Sequence, residues 1–139
     1  MKKVLAVTGF LLASANAAFA TGSITCEDPE SKVVVELRVN HSDTLNIIGH
    51  SIAIGDETWP PVDENGIAKT PAPGQVELSI GQAFENDGML LVDFVGGTAG
   101  TVIARLKAFS LEDGNDFVSG GVFMFKDKGA YLVDCSVRG

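Results

Sequence analysis

Chemically versatile side chains are scarce in this chain: 139 residues hold one tryptophan, one tyrosine, two histidines and two cysteines. So few imidazole and thiol groups leave no soft-ligand set of the kind a metal centre needs. Basic residues are few as well, ten against 18 acidic ones. Nucleic-acid binding rests on clustered Lys and Arg that neutralise phosphates, so the charge balance excludes that class of partner. It also disfavours anionic membrane surfaces. Sustained 3.6-residue apolar periodicity is missing, which leaves almost no helix. Without a helix to open, no glycine-rich phosphate loop can form, and no nucleophile motif appears, so the sequence reads as non-enzymatic.

The start of the chain carries the clearest signal. Lys2 and Lys3 supply a positive opening, residues 4–20 are apolar or small, and Ala18-Phe19-Ala20 offers a small-x-small cleavage site. The run is too short and too rich in Ala and Ser to span a bilayer, which takes about 20 strongly apolar residues. No cysteine follows the cut to carry a lipid. The sequence therefore predicts a cleavable signal peptide at 1–20 and one periplasmic or secreted domain at 21–139. Losing Lys2 and Lys3 leaves eight basic against 18 acidic residues, a formal charge of −10. Such a charge keeps an exported protein soluble and suits a basic protein partner, whose approach the opposite field would speed.

Cys26 and Cys135 stand near the two ends of that domain. In an oxidising compartment an isolated pair is most simply one disulfide. Closing a loop of about 100 residues removes on the order of 4–5 kcal/mol of unfolded-state entropy. The first and last strands must then lie side by side or face each other.

The dominant period is two. Val33, Val35, Leu37 and Val39 alternate with Val34, Glu36, Arg38 and Asn40, giving one dry and one mostly wet face. The pattern returns at Leu45 and Ile47, at Ile52 and Ile54, and at Val76, Leu78 and Ile80. It continues at Leu90, Val92 and Phe94, then at Val102, Ala104, Leu106 and Ala108. Residues 121–125 and 130–137 read as a hairpin about the turn Lys126-Asp127-Lys128-Gly129, with Cys135 facing inward. Pro, Gly, Asn and Asp clusters separate the segments at short intervals. Only residues 111–116, or a turn around 81–84, could hold a helical turn. The expected fold is all-β: one antiparallel barrel or sandwich of about eight strands.

Residues 56–74 break the rhythm with four prolines, four acids and the only tryptophan. A loop of this length in a small domain is either functional or poorly ordered. Trp59, stiffened by Pro60 and Pro61, could anchor a partner or plug one end of the fold. With Asp56, Glu57, Asp63 and Glu64 it forms the candidate partner-binding group.

Other groupings read as turns. His41-Ser42-Asp43 holds the residue types of a hydrolytic triad, but neighbours on an extended chain point in alternating directions. His41 and His50 are nine positions apart and flank a strand, too far along it for a shared metal. Asp113, Asn115 and Asp116 with Glu112, and likewise Asp63, Glu64 and Asn65, lack the ordered ligand ladder of a calcium loop. No cofactor is expected.

Early Cys26, late Cys135, acidic charge and about eight strands together resemble, in outline, the periplasmic inhibitors of chicken-type lysozyme. That resemblance implies a small barrel that pushes a serine- and tyrosine-bearing loop into a basic enzyme. The family's Ser-Gly-x-x-x-x-Tyr loop is not matched, since Ser119-Gly120 runs into a strand and Tyr131 follows only after the next turn. No inhibitory residue is therefore carried over. The expected function is binding of a basic secreted protein such as a lysozyme. The alternatives are a barrel carrying a small apolar ligand and a structural component of the envelope surface.

Overall fold

Among the described residues the chain forms nine strands: β1 (Thr21–Glu27), β2 (Val33–His41), β3 (Leu45–Ile54), β4 (Glu57–Trp59), β5 (Leu78–Asn86), β6 (Met89–Gly96), β7 (Thr101–Asp113), β8 (Asp116–Phe125) and β9 (Gly129–Arg138). The computed structural model describes residues 21–41, 44–113 and 116–138, and among them there is no helix. The signal peptide expected at 1–20, Ser42, Asp43 and Asn115 lie outside the described residues, as do the side chains of His41, Glu112, Asp113 and Asp116.

All nine strands join one antiparallel sheet in the order β4-β3-β2-β1-β9-β8-β7-β6-β5. The sheet curls until β3 and β5 meet, giving a nearly closed barrel and not a sandwich. Eight long strands form the wall. The ninth, β4, was not expected, because three residues ahead of two prolines carry no readable period.

Neither place that could have held a helical turn shows one among the described residues. The residues around 81–84 form no helical turn; they continue β5, with a bulge between Ile80 and Ala83. Leu111, Glu112 and Asp113 belong to β7 and Asp116 to β8, strands that pair from Ala104 and Phe125 out to Asp113 and Asp116. Long cross-strand pairing satisfies more backbone groups than an isolated helical turn can.

Turns follow their chemistry. Asp28 ends β1 by accepting the Val33 amide at 2.7 Å through Oδ1, while its carbonyl accepts Ser31 N at 2.9 Å. Between β8 and β9 the Lys128 amide donates to the Phe125 carbonyl at 3.0 Å, and Asp127 takes the left-handed conformation with φ of 64°.

The interior is filled by the chain's own side chains. Val33, Val35, Leu37 and Val39 of β2 are fully buried, as are Ile52, Val92, Phe94, Leu106 and Phe123. Phe94 and Phe123 meet edge to face with centroids 6.4 Å apart, a geometry aromatic quadrupoles favour. β1 and β9 lie side by side with Cys26 opposite Cys135, and a disulfide joins these residues across 109 positions of sequence. That bond points to a non-cytoplasmic environment.

Candidate functional site

One junction of the wall is not laddered. Where β3 meets β5, the closing contacts come from side chains. His50 on β3 hydrogen-bonds through its ring to the Leu78 backbone, and the ring sits edge-on to Phe94 at 5.5 Å. Burial holds the His50 imidazole below its ordinary value, against the opposing pull of that hydrogen bond. Nearby, Gln75 Nε2 donates to the Thr58 carbonyl of β4 at 3.0 Å.

The segment between β4 and β5 covers this seam as a folded strap. The Trp59–Pro60 peptide is cis. The strap doubles back on itself: Val62 bridges Ala68, Lys69 N donates to the Pro61 carbonyl at 2.9 Å, and Asp63 N to the Ile67 carbonyl at 2.9 Å. At the tip, Asp63 Oδ1 accepts the amides of Asn65 (2.8 Å) and Ile67 (2.9 Å). This is the Asx-type turn that Asp favours, closed by Gly66 at a φ of 75° that a β-carbon would strain.

Three clefts border the strap, and two of them reach Trp59. One of these two, of about 880 Å³, lies between the strap and the β8–β9 turn and is lined by Trp59, Lys69, Val76, Ile103, Phe125 and Lys128. The other, of about 690 Å³, opens over the seam beside Arg38, His50, Pro61, Thr70 and Leu78. Trp59 is the floor common to both. It is 4% exposed and stacks against Phe125 with centroids 4.6 Å apart. Lys128 Nζ stands 5.7 Å above the indole and pairs with Glu57 at 2.5 Å.

The candidate residues therefore separate into two groups. Asp56 and Glu57 gather with Trp59 around the first cleft, where Glu57 is already neutralised by Lys128. Asp63 and Glu64 sit at the strap tip, with the Asp63 carboxylate committed to strap amides and Glu64 exposed. Trp59 does not project from the surface as a free anchor; it is a buried core residue under the strap.

Sequence reasoning passed over three participants. Lys128 lies 71 positions from its partner Glu57, and only the closed barrel joins them. His50 became a seam residue because β4 is too short to cover it. Ile67, 63% exposed at the strap tip, follows the Asn-Gly pair that turns the chain outward.

The two clefts share an aromatic floor, and the first carries an ion pair at its lip. Among the described residues no group of three or more His, Cys, Asp or Glu is placed for a metal ion. No helix among them is long and apolar enough to cross a membrane. Comparison with models of protein families, with curated proteins and with solved structures finds no match for this chain.

Proposed function

We propose that this chain is an exported, non-enzymatic binding protein of the periplasm or extracellular space, and that the strap over the seam is its contact surface for a basic protein. The observation that carries this reading is the strap's own hydrogen bonding. A loop ordered before contact loses little entropy on binding. It presents Ile67 at its tip beside the free carboxylate of Glu64, with Val62 close behind. Exposed apolar side chains rimmed by charge mark interaction sites.

Carriage of a small apolar ligand inside the barrel is less well supported. That role needs interior space, and Leu37, Ile52, Phe94, Leu106 and Phe123 occupy it.

The test is titration calorimetry against a panel of basic secreted proteins, chicken-type lysozyme first. Binding is expected to weaken with added salt, since exposed charges are screened. Ile67→Asp and Glu64→Lys should each weaken it by about tenfold or more. Absence of binding across the panel, or binding indifferent to both substitutions, overturns the reading.

A further inference from the structure

The outer wall of β6–β9 differs from the rest of the barrel. Strand register sets three cross-strand rows on it. The first is Asp93, Arg105, Met124 and Ala130; the second Leu91, Lys107, Val122 and Leu132; the third Met89, Phe109, Gly120 and Asp134. Met89, Phe109, Val122, Met124 and Leu132 are all exposed, and Leu132, at 75%, is the most exposed large apolar residue among those described. By contrast β2 turns Glu36, Arg38 and Asn40 outward, beside Ser51 of β3. A contiguous apolar patch on one side of a soluble barrel is a contact surface waiting for a cover.

Charge identifies the cover. Arg105 and Asp93 form a bidentate pair at 2.5 and 2.9 Å, which leaves Lys107 and Asp134 as the unpaired charges of the three rows. Within these three rows of β6–β9 the charges therefore cancel, on a chain rich in acids. A basic partner is drawn to the carboxylates elsewhere and gains nothing here. A second copy of this acidic chain meets the reverse situation: it is repelled by the carboxylate-rich surfaces and meets no net repulsion on this one.

We propose that two copies of the protein associate through this face. Lys107 and Asp134 lie on strands two apart and on adjacent rows, on either side of β8. A two-fold axis lying in the plane of the face, between those two residues, sets each Lys107 over the partner's Asp134 in both directions at once. Such an isologous contact closes as a dimer and leaves no free sticky surface. It stacks Val122, Met124 and Leu132 at the centre, where desolvation is greatest. The strap lies outside this interface, so a dimer presents two straps.

Analytical ultracentrifugation of the purified, disulfide-bonded protein over about 1 μM to 1 mM decides the matter. A dimer is expected, with Leu132→Asp raising its dissociation constant about tenfold or more. Because Leu132 is solvent-exposed, thermal unfolding of the dissociated variant should match that of the dissociated parent. Lys107→Asp and Asp134→Lys should each weaken the dimer, and the double exchange should restore it. A chain that remains monomeric throughout, or a dimer indifferent to Leu132→Asp, overturns the proposal. So does a double exchange that fails to rescue. Adsorption of a monomer to zwitterionic lipid vesicles, abolished by Leu132→Asp, would also overturn it and give the face to a membrane surface.

Discussion

Trp59 separates two roles that the sequence left open, and truncating it to alanine tells them apart. The indole is 4% exposed, lies 4.6 Å from Phe125 centroid to centroid, and sits opposite Ile52 in the β3–β4 ladder. Removing a buried indole costs about 3–5 kcal/mol, counting both lost transfer energy and the cavity left behind. A folded unit running from β1 at Thr21 to β9 at Arg138 unfolds with an entropy of about 0.25 kcal/mol/K near its midpoint. The expected fall in melting temperature for Trp59→Ala is therefore about 12–20 °C. Trp59→Phe keeps a ring against Phe125 and should lose only about 1–2 kcal/mol. Circular dichroism follows the melts of all three proteins. Emission of the lone tryptophan gives the parent an independent probe, because unfolding moves the indole from the core into water. If Trp59→Ala melts within a few degrees of the parent while partner binding disappears, the indole is a surface anchor and its assignment to core packing is wrong.

Three other outcomes follow from the fold. Replacing Cys26 and Cys135 by alanine releases a closure spanning 109 positions and should cost about 4–5 kcal/mol in urea unfolding; a loss below about 1 kcal/mol would show that the bond does little beyond the β1–β9 ladder. Hydrogen bonds from Arg105, and then its charge, hold the Asp93 carboxyl below the ordinary carboxylate range despite its burial. The folded value being the lower one, this stabilisation is complete above the unfolded value and disappears as pH falls through the folded value. Asp93→Asn should accordingly flatten the acid limb of stability against pH below about 4, and an unchanged slope would refute the coupling. Finally, a β-carbon on Gly121 would lie 2.1 Å from the Lys107 carbonyl oxygen and 2.7 Å from Ala108 Cα, so Gly121→Ala should cost about 3 kcal/mol or more. Gly97→Ala has open space around it and only a φ of 73° to oppose it, so it should cost about 1–2 kcal/mol; equal losses at the two glycines would refute the steric argument.

How much of this was legible depends on the range of the interaction. Alternation at Val33, Val35, Leu37 and Val39 announced β2, and the same period announced most of the wall, because burial on one face is written locally. The Cys26–Cys135 bond was legible for a different reason: two cysteines allow only one pairing within a chain. β4 was hidden because three residues cannot display a period, and its fit depends on Ile52 and Phe125 elsewhere. The Glu57–Lys128 and Asp93–Arg105 pairs join charges that many other turns and strands could equally have supplied. The apolar outer face was hidden by continuity. Leu90, Leu91 and Val92, and likewise Val122, Phe123, Met124 and Phe125, are unbroken apolar runs, so inward and outward members look alike until register sorts them.

The position of the strap follows from the topology. The disulfide joins β1 and β9 in the middle of the strand order, so both the covalent link and the ladders beside it hold the wall opposite the seam. The two free edges, β4 and β5, are by contrast consecutive in the chain, and the segment between them must travel from one edge of the open sheet to the other. Any connection making that journey passes over the one junction without a ladder. Exposed sheet edges left uncovered invite unwanted pairing with other chains, and natural proteins blunt them with prolines, short strands or a covering loop. This chain uses all three, in Pro60 and Pro61, in the three-residue β4, and in the strap. A binding surface placed there and a dimer face placed on β6–β9 make separate demands, since each draws on residues that the buried interior does not need.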